Sequence, residues 1–510
     1  MMADWTPLFV ALPLAAAFLC LLLKGVAPRA APWITVIDML AVLGLGLAAT
    51  LGGADGVSFM GGWGPESAAG TRFVSGIAVV LDRLSALFLL LIGVVSTAIA
   101  VYGLRYLEVY EGRPLYYALF NLLVAGMCGA VLAGDLFNLF VFVEVASIAS
   151  YGLVAFGTGA REVEASFKYV LLGALASSAI LLGIGVLYAS TGLLNMADLA
   201  LAVRSGIVPR DLVFFASALF LAGFGLKAAM MPFHAWLPDA HPSAPAPISA
   251  MLSGLLIKTL GIYAIIRVFY TVIGMDSRVQ TLLLVLGSVS MLAAVLLALG
   301  QDDLKRLLAY SSISQMGYVL VALGLNTALG VVAGVFHAVN HGLFKSALFL
   351  SSGSLERISG TRKLSGMGGL AQRAPATATG LMVASLSIGG VPPFNGFWSK
   401  LLVLVALFEA GQWTVAAVAG GTAVLTLVLF IRVQHKALFG PLPARLAAVR
   451  DVPASMSGPV LALAFLCLIV FALWPLGLDA IVNAAAGAVH SGANAAPAVE
   501  NYLRLVLGRP

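Results

Sequence analysis

Residues 279–300 read VQTLLLVLGSVSMLAAVLLALG, a stretch without a single charged side chain. At about 1.5 Å of rise per residue, such a run makes a helix roughly 30 Å long, the thickness of a bilayer core. Comparable runs recur near 5–23, 33–52, 77–103, 115–133, 136–157, 165–189, 211–231, 245–270, 307–323, 329–352, 376–404, 411–431 and 457–477. Long apolar runs, in place of short alternating strands, select helices over a β-barrel. Composition agrees: 61% of residues are hydrophobic and 10% charged, against about 25% charged in a soluble domain. The mean hydropathy is +1.04. So few charges cannot build a water-facing surface, and the lipid bilayer is the solvent for most of the chain. The expected fold is an all-α polytopic membrane protein of about fourteen transmembrane helices. No long polar linker divides it, so residues 1–510 read as one transmembrane domain. The Gly/Ala-rich stretches 53–70 and 482–498 read as surface loop and tail. The run 5–23 has no basic flank before it and reads as a retained span, not a cleaved signal.

The net charge of +6 carries topology and gives no reason to expect nucleic acid. Lysine and arginine are twice as frequent in loops after odd-numbered spans as in loops after even-numbered ones. That bias places the odd loops in the cytoplasm and both termini outside a cell membrane, inner or plasma. Cys20, Cys128 and Cys467 lie in apolar runs and read as small core residues.

The sequence also repeats itself. Asp135-Leu136 opens a segment ending Tyr151-Gly152-Leu153-Val154-Ala155, and Asp303-Leu304 opens one ending Tyr318-Val319-Leu320-Val321-Ala322. Phe167-Lys168 is matched by Phe336-His337, and Pro232-Phe233 by Pro393-Phe394. These anchors outline a five-helix unit over 115–270 repeated over 279–433. A unit with an odd number of spans must return inverted, an architecture of ion-coupled transporters.

Several ionisable residues fall inside spans, where each costs a few kcal/mol or more. Glu144 has no basic residue within a helical turn or two, so its partner must come from another helix. Lys227 and Lys258 have long apolar flanks. His337, His341 and Lys345 recur at i, i+4 and i+8 and share a helix face. Lys400 follows Asn395-Gly396-Phe397-Trp398-Ser399. A single buried lysine can be a structural group, or can reach for the interface. Lys345 and Lys168 suit that reading; Lys227 and Lys258 do not. A buried amine balances desolvation against nearby carboxylates, and can then release and regain a proton near neutral pH. A row of such groups can pass protons.

Two proline-rich segments break helices. Residues 230–247 hold Pro232, Pro238, Pro242, Pro245 and Pro247, and Gly389-Gly390-Val391-Pro392-Pro393 interrupts the run 376–404. Broken backbone at membrane depth survives only where protein or a cavity covers it. Lys227 and Lys400 flank the two breaks. His234 and His241 lie beside the first, either as relay members or as caps for broken backbone. No nucleotide, cofactor or nucleophile motif stands out. His337 and His341 have a metal-ligand spacing but no acidic third ligand nearby, so no metal and no cofactor are expected.

Four motifs together resemble one superfamily. They are Asp135-Leu136-Phe137-Asn138-Leu139-Phe140 leading to Glu144, Lys227 with Pro232-Phe233-His234-Ala235-Trp236-Leu237-Pro238, His337 with His341-Gly342-Leu343-Phe344-Lys345, and Gly390-Val391-Pro392-Pro393-Phe394 with Lys400. The superfamily is that of antiporter-like subunits: the D subunit of multi-subunit Mrp cation/proton antiporters, the proton-pumping membrane subunits of complex I, and their counterparts in membrane-bound hydrogenases. The resemblance spans roughly residues 77–440. It implies two inverted five-helix units with broken helices 7 and 12. It implies an acid–base pair of Glu144 and Lys227, a central relay at Lys258, a further relay at His337 and His341, and a terminal group at Lys400. Lysine at that last position is more like the Mrp D subunit, since some complex I subunits carry glutamate there. The long lateral helix of the largest members is expected to be missing. The implied partners are other membrane subunits, protons and a second cation such as Na+. The rival expectations are a non-transporting membrane scaffold and a quinone- or cofactor-binding membrane enzyme.

Overall fold

The computed structural model describes residues 5–52, 55–62, 76–472, 478–487 and 496–507. Every one of the predicted runs carries helix. In chain order the elements are α1 (Leu8–Leu22), α2 (Ala31–Leu51), β1 (Gly56–Phe59), β2 (Ala78–Leu81), α3 (Arg83–Tyr106), α4 (Arg113–Leu132), α5 (Leu136–Val154) and α6 (Ala160–Thr191). A short α7 (Met196–Arg204), α8 (Arg210–Lys227), α9 (Leu237–Ser243) and α10 (Ala246–Ile273) follow. The rest are α11 (Ser277–Leu299), α12 (Leu304–Gly324), α13 (Ala328–Ser359), α14 (Pro375–Gly389), α15 (Asn395–Glu409), α16 (Trp413–Gln434), α17 (Ala454–Ala472), α18 (Leu478–Gly487) and α19 (Ala496–Leu507). Among the described residues nine helices are long and apolar enough to cross a membrane.

The helices are not equally placed. The most apolar windows of α10 and α12 are 100% and 94% buried, whereas those of α6 and α16 are only 39% and 33% buried. α10 and α12 therefore form the centre, and α6 and α16 present lipid-type faces. α10 widens to π-type turns over Leu252–Tyr263 and Arg267–Ile273, a backbone that appears mostly in short pieces and at functional sites.

One local arrangement occurs twice. Asp135 caps α5 by accepting from Asn138 N, and Asp303 caps α12 by accepting from Arg306 N. Asp135 makes an antiparallel bridge to Asn195, and Asp303 to Lys363. The intervening α6 and α13 are both 32 residues long, and each ends on a glycine, Gly192 or Gly360, at φ 69. That left-handed geometry suits glycine at a helix C-terminus. Both broken runs are split as their prolines require: α8 and α9 are separated by residues 228–236, and α14 and α15 by 390–394.

Several expectations need correction. Part of 53–70 is β1, paired in register with β2 (Gly56↔Leu81 to Phe59↔Ala78); residues 53, 54 and 63–70 lie outside the described residues. The stretch read as a tail contains most of α18 and the start of α19, where Tyr502 and Val506 are buried; residues 488–495 lie outside the described set. Arg267 and Lys305 count among the loop charges in the sequence, yet both are 2% exposed. One comes from each class of loop, so the charge bias survives. Arg267 is held by Asp82 at 2.7 Å and by the Tyr263 hydroxyl at 2.8 Å, which explains how a guanidinium can sit inside the protein.

Candidate functional site

Glu144 lies midway along α5. The Ser177 hydroxyl of α6 donates to its Oε1. Lys227, the last residue of α8, places Nζ 3.5 Å from the same oxygen and donates to Ser147 Oγ at 2.8 Å. Ser147 stands three residues beyond Glu144, so the two share a helix face. The lysine is 4% exposed. Its partner does come from another helix, as the bare surroundings of Glu144 required. The ammonium holds the serine closely and the carboxylate loosely, an arrangement from which it can turn toward either.

The end of α8 is pressed against α10. A Cβ on Gly261 would stand 2.6 Å from Ala228 Cα, so only glycine admits this approach. Gly261 is three residues from Lys258, and the contact brings the Lys227 helix end to within a turn of that second lysine. A second close crossing joins α10 to α13, where a Cβ on Gly342 would stand 3.1 Å from Gly254 O. Gly342 follows His341 directly. The two crossings thus set Lys258 between Lys227 and the histidines. Lys258 is fully buried and donates to Ser253 O at 2.5 Å; Ser253 in turn bonds Ser312 at 2.7 Å.

Neither ring nitrogen of His341 has a hydrogen-bond partner among the described residues. The ionisable groups around it are Lys258, Lys345, His337 and Lys400. His337 Nδ1 lies 2.9 Å from Ser399 Oγ, and its Nε2 has no partner among the described residues. The Tyr318 ring lies 5.5 Å from the His337 ring and 5.3 Å from the Lys400 ammonium. Lys400 Nζ crosses the helix break to Ile388 O at 2.6 Å, one of the carbonyls that the end of α14 leaves free. Asn395, at the start of α15, accepts from the Ser387 hydroxyl across the same break and donates to Asn340 of α13 at 2.9 Å. At the first break, Trp236 Nε1 plays the capping part, donating to Leu226 O at 3.0 Å.

Lys345 does not reach for the interface. It is fully buried and donates to Leu308 O and Ser311 Oγ at 2.7 and 2.5 Å. His241 is also fully buried, its ring against Phe349 at 4.8 Å. Lys168 and His234 stand apart from the row. Lys168 is half-exposed and paired with Glu164 and Asp239, and His234 is partly buried in the first break. The sequence reading missed the hydroxyl partners Ser147, Ser177, Ser311 and Ser399, buried Lys305, and Gln315, whose amide has no partner among the described residues. A signal existed for some: Ser399 adjoins Lys400, and Ser147 falls one turn from Glu144. Lys305 gave none, because a lysine at the edge of an apolar run looks like a loop charge.

The chain's likenesses accord with this geometry. Residues 133–426 match the family model described as NADH:quinone oxidoreductase/Mrp antiporter, TM, and residues 69–117 match that of the NADH-ubiquinone oxidoreductase (complex I) chain 5 N-terminus. NADH-quinone oxidoreductase subunit N of Desulforudis audaxviator is 36% identical over 422 residues, covering 79% of this chain and 82% of that one. The D subunit of the Na(+)/H(+) antiporter of Alkalihalophilus pseudofirmus is 36% identical over 366 residues, covering 72% and 74%. A chain in the structure of the Mrp complex from Dietzia sp. superposes with a TM-score of 0.87 at 31% identity, covering 100% of both chains. A chain of the membrane-bound sulfane sulfur reductase, an archaeal respiratory membrane complex, gives 0.88 at 32% identity, covering 98% and 99%.

Proposed function

Because the chain belongs to the NADH:quinone oxidoreductase/Mrp antiporter family of membrane subunits, we propose that it is the D-subunit-like, proton-translocating component of a cation/proton antiporter complex. The observation that carries this reading is the contact of buried Lys227 with Glu144 at the head of a line of amines and imidazoles. Lys227 exchanges a proton when it leaves the carboxylate for Ser147. Lys258 receives it, His341 and His337 carry it across the second break, and Lys400 ends the row. Water bridges the steps that exceed hydrogen-bond reach. Like charges in the row repel, so a proton arriving at one site drives its neighbour's proton onward.

Glu144 also bears on the partners. Its side chain is 27% exposed, and Phe137, Val141 and Ile148 on the same face of α5 are exposed. A carboxylate open to lipid at mid-depth is costly; another membrane subunit covering this face removes that cost. The duplicated caps and breaks support two five-helix units over 115–270 and 279–433, inverted with respect to each other. The charge bias favours a cytoplasmic position for the loops of Lys168, Asp303 and Arg362, with both termini outside. The experiment is proton transport by the complex in proteoliposomes. A Lys227→Ala complex that assembles but is silent is the expected result, and parental transport overturns the reading. A second reading, a proton-pumping subunit of complex I type, is favoured by the 36% identity to a subunit N. Co-purification decides between them: small antiporter subunits support the first reading, redox subunits the second.

A further inference from the structure

Besides Lys345, the relay described above leaves out three ionisable groups that lie between it and one face of the protein. His241 of α9 is fully buried, and neither ring nitrogen has a hydrogen-bond partner among the described residues. A structural histidine is normally bonded at one nitrogen or more, because an unpaired buried polar group is costly. The charged groups facing it are Lys345, Lys305 and Lys258. Phe349 ties it to the first of these, with the imidazole 4.8 Å and the Lys345 ammonium 5.8 Å from that one ring. Lys305, at the start of α12, donates at 2.9 Å to Ala244 O, three residues beyond His241, and holds Nζ 3.7 Å from Glu356 Oε2. Glu356 is one-third exposed, in the last turn of α13. Arg362 faces it at 3.8 Å and reaches over to bond Pro242 O, the carbonyl next to His241. A polar cleft of about 340 Å³, lined in part by Pro242, Ser243, Asp303 and Arg362, opens on the outside of that segment.

We infer that Glu356, Lys305 and His241 form a proton inlet from this face, joining the relay at Lys258 directly or by way of Lys345. The inference rests on Lys258 being a relay site. Glu356 takes a proton from water and hands it to the Lys305 amine. His241 takes it up on one ring nitrogen and releases a proton from the other. Lys345 or Lys258 receives that proton, and rotation of the His241 ring returns a bare nitrogen to the Lys305 side before the next proton arrives from solvent. Only O–H and N–H bonds form and break, and each proton lost by a donor is gained by its acceptor.

The test uses the intact complex in proteoliposomes with a pH-sensitive dye. Glu356→Gln and His241→Gln each lower transport on the order of a hundredfold, and Glu356→Asp restores most of it, because a shorter acid still carries the proton. Lys258→Leu is the inactive reference. A second measurement does not depend on transport. With the three native cysteines replaced, Lys305→Cys reacts with a membrane-impermeant methanethiosulfonate ammonium reagent applied at this face. Parental transport by Glu356→Gln and His241→Gln beside an inactive Lys258→Leu overturns the inlet and leaves the relay standing. An active Lys258→Leu overturns the relay itself and the inlet with it. Loss that Glu356→Asp does not repair, or a Lys305→Cys that the reagent never reaches, makes these groups structural and overturns the inlet.

Discussion

At the scale of single residues, the proposed chemistry depends on which buried charges have partners. Lys227 has a carboxylate at 3.5 Å; Lys258 has a backbone carbonyl. Removing one member of a buried pair leaves the other uncompensated, at a cost of about 3–5 kcal/mol. Both Glu144→Ala and Lys227→Ala are expected to abolish proton transport while the complex still assembles; normal dye quenching by either, in vesicles of verified subunit content, defeats the pair. Lys258→Leu is expected to block transfer between the two halves, since leucine offers no proton site and expels bridging water. Lys258→His and Lys258→Glu retain part of the rate because each still carries a proton. A Lys258→Leu complex of parental activity means that the halves work independently. These residues are legible in the sequence for a physical reason. An ionisable side chain in a long apolar run has few structural explanations. Lys345 departs from expectation because apolar flanks alone do not say whether a serine and a carbonyl on α12 meet the amine. Lys305 escapes notice because its burial comes from α9 and α13, remote in sequence.

At the scale of elements, two glycine crossings and two capped breaks set the spacing of the row. Gly261→Val puts side-chain atoms where the Ala228 backbone stands at 2.6 Å, and backbone cannot step aside as a flexible side chain can. Such overpacking costs about 1–3 kcal/mol, and it pushes the Lys227 helix end away from Lys258. The expected result is a lower melting temperature together with slowed transport. Unchanged values of both mean that the crossing does not set the lysine spacing. Trp236→Phe keeps the ring but removes the N–H donor to Leu226 O. Leu226 O keeps the Ala229 N–H, so the loss is one hydrogen bond, about 0.5–1.5 kcal/mol, visible as reduced thermal stability of the purified complex. The prolines announce the breaks plainly. The caps that make them tolerable do not show, because Trp236, Lys400 and Asn395 act across distances that only the folded chain closes.

At the scale of the whole molecule, direction is the remaining question. Between Asp135 and Asp303 the chain passes through α5, α6, the broken α8–α9, α10 and α11, five crossings if each spans the bilayer. Five crossings put the two aspartate caps on opposite faces, and with them the two halves of the repeat. The excess of lysine and arginine on the Asp303 side then favours the proposed cytoplasmic position of that side. Single cysteines test both statements at once in a background with the buried Cys20, Cys128 and Cys467 replaced. Ser205, exposed in the turn after α7, and Gln372, exposed between α13 and α14, lie on the two faces in question. An impermeant thiol reagent applied to intact cells is expected to label Ser205→Cys, and to label Gln372→Cys only after the membrane is opened. A reporter fused after Pro510 is expected to read as extracytoplasmic. Labelling of both cysteines from the same side means that one of the segments between them, α8–α9, α10, α11, α12 or α13, fails to cross, and the inversion is lost. Labelling with the sides exchanged keeps the inversion but reverses the chain in the membrane, and it moves the Glu356–Lys305–His241 inlet to the outer face.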